Sequence, residues 1–293
     1  MNSTRHNRLP PWFRRSFKPS DAHDTWKLLR RYSICTVCES AKCPNLKECF
    51  SSKTATFLVL GPVCTRNCGF CSVERGTPAS ADPTEPERLA SAASEMGLSY
   101  VVLTMVTRDD LEDGGGRHVA AVIESLRRKI PEVRVEALVS DLGGSIDSLE
   151  LLLASRPDVF NHNIETVPRL YPEVRSRASY TRSLALLERA SSARPCLPVK
   201  SGFMVGLGET EEEIVSLMKD IRSTGCRILT IGQYLRPSNQ NLAVKSFVSP
   251  EKFQEFEALG REMGFHIVYS GPLVRSSYLA AEAYEKLRKG GNC

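Results

Sequence analysis

Three cysteines within eight residues, in the run Cys64-Thr-Arg-Asn-Cys68-Gly-Phe-Cys71, are the side chains of this sequence most suited to chemistry. Thiolates so spaced bind metal. A structural zinc site closes with four ligands, and no fourth Cys or nearby His completes this set. On a four-iron cluster, three thiolates instead leave one iron free for an exogenous ligand. Ferredoxin-type carriers use a different, four-cysteine spacing, which disfavours simple electron carriage.

A second run, Cys38-Glu-Ser-Ala-Lys-Cys43-Pro-Asn-Leu-Lys-Glu-Cys49, adds three thiols at other intervals, and by itself it could be a structural metal knot. Cys35 creates Cys35-x-x-Cys38 and a possible four-cysteine set with Cys43 and Cys49, which could close tetrahedrally on zinc. Seven of the ten cysteines thus fall within 37 residues, while Cys196, Cys226 and Cys293 are scattered and read as structural or terminal thiols. In a reducing compartment such clustering indicates metal binding or catalysis rather than disulfides.

The elements that must position these thiols alternate. Short β-branched runs at 56–60, 100–104, 134–139, 159–163, 199–205 and 228–233 are followed by helical apolar patterns such as Val119, Val122, Ile123, Leu126, Ile130 and Ile214, Leu217, Met218, Ile221. Six strands in βα alternation predict a parallel sheet with right-handed crossovers, an open doubly wound sheet or a full or partial barrel. Both architectures place chemistry at the carboxyl ends of the strands, where Cys64 to Cys71 follow the first strand. Residues 56–235 form this unit, with 1–55 as an N-terminal extension carrying Cys38, Cys43 and Cys49 and 236–293 as a C-terminal extension ending in a helical stretch at 278–289.

Smaller signals point at the same rim. Asn163 and Glu165 alternate at the end of the fourth strand and so share a side. Gly206-Leu-Gly208 after the fifth strand would let backbone approach a ligand, and Thr210 with Glu213 forms a capping box, which makes Glu211, Glu212 and Glu213 helix-start residues. Gly114-Gly115-Gly116 could cradle an anion. By spacing alone, a serine of Arg275-Ser276-Ser277-Tyr278 would cap the C-terminal helix.

Composition excludes several classes. At 293 residues, 41% hydrophobic and 25% charged, the sequence is that of a globular protein, and no apolar run reaches the roughly 18 to 20 residues of a membrane span. The net charge of +5 resides in the first 20 residues, on Arg5, Arg8, Arg14, Arg15 and Lys18, which leaves the remainder neutral and without a nucleic-acid-type basic cluster. Pro10-Pro11-Trp12-Phe13 reads as an extended segment docking on the body rather than as a targeting signal, and a cytoplasmic location is expected.

After the first strand, Cys64, Cys68 and Cys71 resemble the hallmark run of the radical S-adenosylmethionine enzymes. With Cys38, Cys43 and Cys49, and with Arg108-Asp-Asp-Leu-Glu-Asp-Gly-Gly115, His162-Asn-Ile-Glu-Thr-Val167, Lys200-Ser-Gly-Phe-Met-Val-Gly-Leu-Gly-Glu209, Gln233-Tyr-Leu-Arg-Pro-Ser238 and Gly271-Pro-Leu-Val-Arg-Ser-Ser-Tyr278, the chain resembles the lipoyl synthase family along nearly its whole length. The resemblance implies a partial (β/α)6 TIM-like barrel with N- and C-terminal extensions, S-adenosylmethionine, and two 4Fe-4S clusters. One cluster, on Cys64, Cys68 and Cys71, would bind S-adenosylmethionine at its open iron and yield a 5'-deoxyadenosyl radical. The other, on Cys38, Cys43 and Cys49 with Ser277 rather than Ser276 as fourth ligand, would be consumed as the sulfur source. An oxygen ligand suits an iron that must open.

The implied reaction inserts sulfur at C6 and C8 of an octanoyl chain on a lysine of a lipoyl-carrier protein or lipoyl domain. A ferredoxin or flavodoxin would supply electrons, and no protein side chain acts as catalyst. The basic N-terminal arm could steer an acidic carrier. Asn163 and Glu165 would meet ribose hydroxyls, Arg175 the methionine carboxylate, and Gly206 and Gly208 would lie close to the cofactor. The family commonly has histidine where Cys35 stands, a departure that puts the role of Ser277 in doubt. Another radical enzyme with an auxiliary cluster, or a non-catalytic metal-binding module, are the alternatives.

Overall fold

The computed structural model of the chain describes residues 9–13, 22–51 and 54–290. The basic side chains of the arm, Arg5, Arg8, Arg14, Arg15 and Lys18, and the terminal Cys293 lie outside these residues. Strands form where β-branched and apolar residues are buried without interruption, the pattern of a parallel sheet covered on both faces. After a two-residue β1 (Cys35–Thr36), β2 (Thr56–Val59) opens the parallel series. Next come β3 (Val63–Cys64) and β4 (Glu74–Arg75), a small parallel ladder of their own around the first cysteine. The main sheet continues with β5 (Tyr100–Met105), β6 (Arg134–Leu138), β7 (Val159–Asn161), β8 (Val199–Val205), β9 (Ile228–Gln233) and β10 (Ile267–Gly271).

Its order is β1-β2-β5-β6-β7-β8-β9-β10, parallel throughout except for β1, which runs antiparallel along β2 with Cys35 opposite Leu58. The two ends of the sheet do not pair, so the barrel is partial and open, as the resemblance implies. All six anticipated strands are present to within two residues.

The C-terminal extension departs from its expected form. It adds a seventh parallel strand, β10, to β9, so residues 236–293 include a piece of the sheet itself. The run Ile267-Val-Tyr-Ser-Gly271 is short and stands between Gly264 and Pro272, which hides its strand character among turn signals.

Helices α1 (Ala22–Arg31), α2 (Val37–Ser40) and α3 (Leu46–Ser51) make up the N-terminal extension. Around the barrel follow α4 (Glu85–Glu95), α5 (Gly116–Lys129), α6 (Ile146–Ala154), the single-turn α7 (Tyr171–Val174), α8 (Tyr180–Ala193), α9 (Glu211–Ser223) and α10 (Pro250–Glu262), with α11 (Ala280–Lys289) last. The apolar stripes of α5 and α9 face inward as their periodicity requires: Val119, Val122, Ile123 and Leu126, and all of Ile214, Leu217, Met218 and Ile221, are buried. Each such side chain contributes roughly 1.5–3 kcal/mol of burial. The α9 capping box is formed, Thr210 accepting from the Glu213 N–H while Glu213 accepts from the Thr210 N–H.

Deep in the sheet, Lys200 Nζ meets Glu136 Oε1 at 2.9 Å, and the same carboxylate accepts from Asn161 Nδ2 and the Tyr100 hydroxyl. This buried ion pair is bearable because further hydrogen bonds surround it. Pro11–Phe13 forms a 3-10 turn rather than an extended segment, yet it does dock: Phe13 is buried edge-on against Phe247, with ring centroids 5.8 Å apart. No helix among the described residues is long and apolar enough to cross a membrane.

Candidate active site

A cavity of about 460 Å³ opens at the carboxyl ends of the parallel strands, walled by Thr104 and Met105 of β5, Leu138 of β6, Phe203 and Met204 of β8 and Gly232 of β9. Cys64, Cys68 and Cys71 border it. Their loop is laced to three neighbours. The Thr65 N–H donates to the Thr107 carbonyl at 3.1 Å, the Gly69 N–H to Val174 at 2.9 Å, and Asn241 Nδ2 to the Cys71 carbonyl at 2.8 Å.

Arg66, between the first two cysteines, is buried and forks onto both Asp109 and Asp141 at 2.7 Å. Burial works against the Asp141 charge, but the Arg66 hydrogen bonds win and hold its carboxyl below the ordinary range. The Arg66 and Val73 N–H groups donate to the sulfurs of Cys64 and Cys71 at 3.4 Å, and the Val73 bond favours the thiolate of Cys71, the form a metal needs. Burial acts oppositely, raising Cys68 and pushing the Cys71 thiol up to about 12.

The second set is gathered beside the first. Cys38 and Cys43 border the same cavity, and Cys49 lies close behind, its thiol pushed up to about 12 by burial and by the nearby charges of Cys38 and Cys43. Burial pushes Cys38 up to about 11. Cys35 does not join them. On β1 it is half-buried and is not among the residues that border the cavity, and its thiol is raised by burial and then by the charges of Glu85 and Glu39.

Ser276 and Ser277 both border the cavity, in a turn closed by the Tyr278 N–H on the Arg275 carbonyl at 2.9 Å. Neither caps α11, whose N-cap position is Leu279 with φ 53° and no side-chain cap. The helix-cap reading of the serine therefore falls. Arg275 stands between the two regions, with the charges of Cys43 and Glu165 both within reach.

On the opposite stretch of wall, Asn163 Nδ2 donates to Glu165 Oε1 at 3.1 Å, and both residues border the cavity with Arg175. Glu165 holds φ 71°, a backbone state rare for a side-chain-bearing residue. Burial raises its carboxyl against the pull of Arg175, Asn163 and Arg275. Arg175 Nη1 donates to the Asn163 and Ile164 carbonyls at 3.0 and 3.2 Å and so holds this bend. Asn163 Oδ1 is buried without a partner.

Gly206 and Gly208 are not brought to the cavity. Gly206, at φ 101°, is required for packing instead, since a Cβ there would meet Gln233 Nε2 at 2.1 Å and the Ser246 carbonyl at 2.5 Å. The Gly208 carbonyl accepts from Arg169 Nη2. Gly114 to Gly116 likewise make room for Leu142, Leu60 and Ser148, and the Gly115 N–H is taken by Asp113, so no anion cradle stands open there. Sequence reading missed Arg66 and Asn241; the first was in plain view inside the cysteine run, the second carries no local signal.

Residues 58–221 match the Radical SAM superfamily. A lipoyl synthase of Syntrophotalea carbinolica is 56% identical over 254 residues, 86% of this chain and 82% of that one. One from Caldanaerobacter subterraneus subsp. tengcongensis is 50% identical over 273 residues, 93% and 96% of the two chains. The chain belongs to the lipoyl synthase family.

As a lipoyl synthase family member it is a radical S-adenosylmethionine enzyme. The crystal structure of methylornithine synthase (PylB) shares the fold, with a TM-score of 0.55 at 15% identity over 86% of this chain and 82% of that one. Membership in the superfamily implies S-adenosylmethionine and a 4Fe-4S cluster, and the residues present fit both. Cys64, Cys68 and Cys71 offer three thiols with backbone donors on two of the sulfurs, and the unpartnered Asn163 Oδ1 is an acceptor left for a ligand in the same cavity.

Proposed function

We propose that the chain inserts two sulfur atoms, at C6 and C8, into an octanoyl group carried on a lysine of a lipoyl-carrier protein or lipoyl domain. The observation that carries this reading is the gathering of five thiols, Cys38, Cys43, Cys64, Cys68 and Cys71, and Ser277 around one cavity, with Cys49 beside Cys38 and Cys43. Cys64, Cys68 and Cys71 would hold one 4Fe-4S cluster. Cys38, Cys43 and Cys49 with Ser277 would hold a second, and the absence of Cys35 from the cavity border, where Cys38 and Cys43 stand, argues against a four-cysteine zinc site. When bound, the first cluster supplies the electron that splits S-adenosylmethionine into a radical able to take hydrogen from an unactivated carbon, and the second supplies sulfur.

The chain's own residues bind and shield. Asn163 and Glu165 would take the ribose hydroxyls and Arg175 the methionine carboxylate. Apolar side chains such as Val37, Leu58, Phe70 and Leu138 line the cavity, which suits an alkyl chain and keeps out water. A ferredoxin or flavodoxin would deliver electrons.

The test is anaerobic incubation of the iron-loaded chain with reductant, S-adenosylmethionine and an octanoylated carrier domain. A carrier mass gain of two sulfurs is expected for the dithiol, and of two sulfurs less two hydrogens once it is oxidised to the disulfide, with about eight irons per chain beforehand. A chain that holds about four irons and one zinc would have no sulfur to give.

A further inference from the structure

The residues that border the cavity are mostly buried or half-buried; those that stand exposed are Lys42, Pro44 and Arg236. Two of these three are cations. Lys42 sits at φ 51°, directly before Cys43, and its ammonium meets no carboxylate among the described residues. Arg236 is likewise unneutralised, because its guanidinium donates to backbone carbonyls of its own loop, Asn241 at 2.8 Å and Asn239.

Among the described residues, Glu165 is the one acid that borders the cavity. It is turned inward to Asn163, Arg175 and Arg275. On the loop after β5, Asp109 is paired with Arg66 and Asp110 with Arg108. An apolar shaft thus opens between two free positive charges.

We propose that Lys42 and Arg236 form a docking surface for an acidic protein face, one whose Asp and Glu side chains flank the lysine that carries the acyl chain. This rests on the function proposed above. A nucleic acid fits poorly, since its affinity comes from neutralising many phosphates, and two cations beside an apolar opening neutralise few. Charges placed at a rim act on encounter and on partner choice, and their effect fades as salt shortens the Debye length.

The test uses the full chain with both metal centres loaded and measures Kd for an octanoylated carrier domain with acids around its lysine. It is set against the same domain with those acids changed to amides, from about 50 to about 500 mM salt. For the acidic carrier, K42E/R236E is expected to raise Kd about tenfold at low salt, with the difference vanishing at high salt. Lysines placed at the carrier's acidic positions should restore binding to the reversed variant. R236E and R236Q are measured alone as well: both lose the bond to the Asn241 carbonyl, so a larger loss for R236E at equal iron content isolates the charge from the loop.

A Kd within twofold of the parent, or an unaltered salt slope, would overturn the proposal. Failure of the underlying function reads differently: neither the carrier nor a short neutral octanoyl-lysine peptide would gain sulfur with the parent chain. If the peptide and the carrier both gain sulfur while affinity ignores charge reversal, the function stands and the docking surface falls.

Discussion

The side-chain amide of Asn45 donates to the backbone carbonyl of Leu273 at 2.7 Å, a bond between residues 228 positions apart. It joins the segment that carries Cys43 and Cys49 to the turn that carries Ser277, so the two extensions meet over the barrel mouth through a buried hydrogen bond. Asn45→Ala leaves that carbonyl without its donor and should cost about 1–3 kcal/mol. Urea denaturation measures the loss. Hydrogen exchange should quicken in both 43–49 and 273–278, and acceleration in one segment alone would show that the bond does not couple them.

On the proposed function, Ser277→Ala should depress sulfur insertion by at least about tenfold while sparing formation of 5'-deoxyadenosine, because only the proposed second cluster would lose a ligand. Ser276→Ala in the same turn is the control and should act like the parent. Full product formation in Ser277→Ala would remove the serine from the ligand set.

Cys35→Ser should change neither iron content nor activity by more than about twofold, since Cys35 does not border the cavity. Cys38→Ser, Cys43→Ser and Cys49→Ser should each lose about four irons. Iron and sulfide analysis decides the matter, and a loss of iron in Cys35→Ser would reinstate a four-cysteine set.

Arg66→Gln strips the fork that serves Asp109 and Asp141, the second of which has no solvent exposure in its side chain. Arg182 Nη1 still meets Asp141 Oδ2 at 3.2 Å, so the cost should be about 1–3 kcal/mol, below that of a buried carboxylate with no partner. Thermal unfolding should drop accordingly, and Asp141→Asn added to Arg66→Gln should recover part of it. Additive losses would show that the two residues are not coupled.

His162 gives a pH dependence of known sign. Burial, reinforced by the charge of Arg175, pulls its imidazole from the ordinary 6.5 down to about 4. Between these values the unfolded chain binds a proton that the folded chain refuses. Its contribution is therefore fully present above about pH 6.5 and is lost as the pH falls toward about 4, by up to about 3 kcal/mol. Between about pH 7 and about pH 4.5, denaturant midpoints should fall more steeply for the parent than for His162→Gln. Parallel slopes would mean that His162 does not sense the proton.

Most of the barrel was legible because each parallel strand is a short buried apolar run and each helix shows its stripe, as β8 and α9 illustrate. The cysteines were legible because spacing in a short loop nearly determines geometry. What escaped depends on distance along the chain. No local pattern tells that Asn241 will hold the Cys71 carbonyl, that Ile267–Gly271 will find β9, or that Gln233 will occupy the space Gly206 leaves. Glycines after a strand suggest a ligand; here the same freedom serves the packing of a glutamine.

The thiols of Cys38, Cys43 and Cys49 ride on or beside helices of four and six residues, apart from every parallel rung of the sheet. Whatever they carry can leave or arrive without one of those rungs being undone. A centre held there would be anchored off the sheet, so that losing it would leave every parallel rung of the barrel in place.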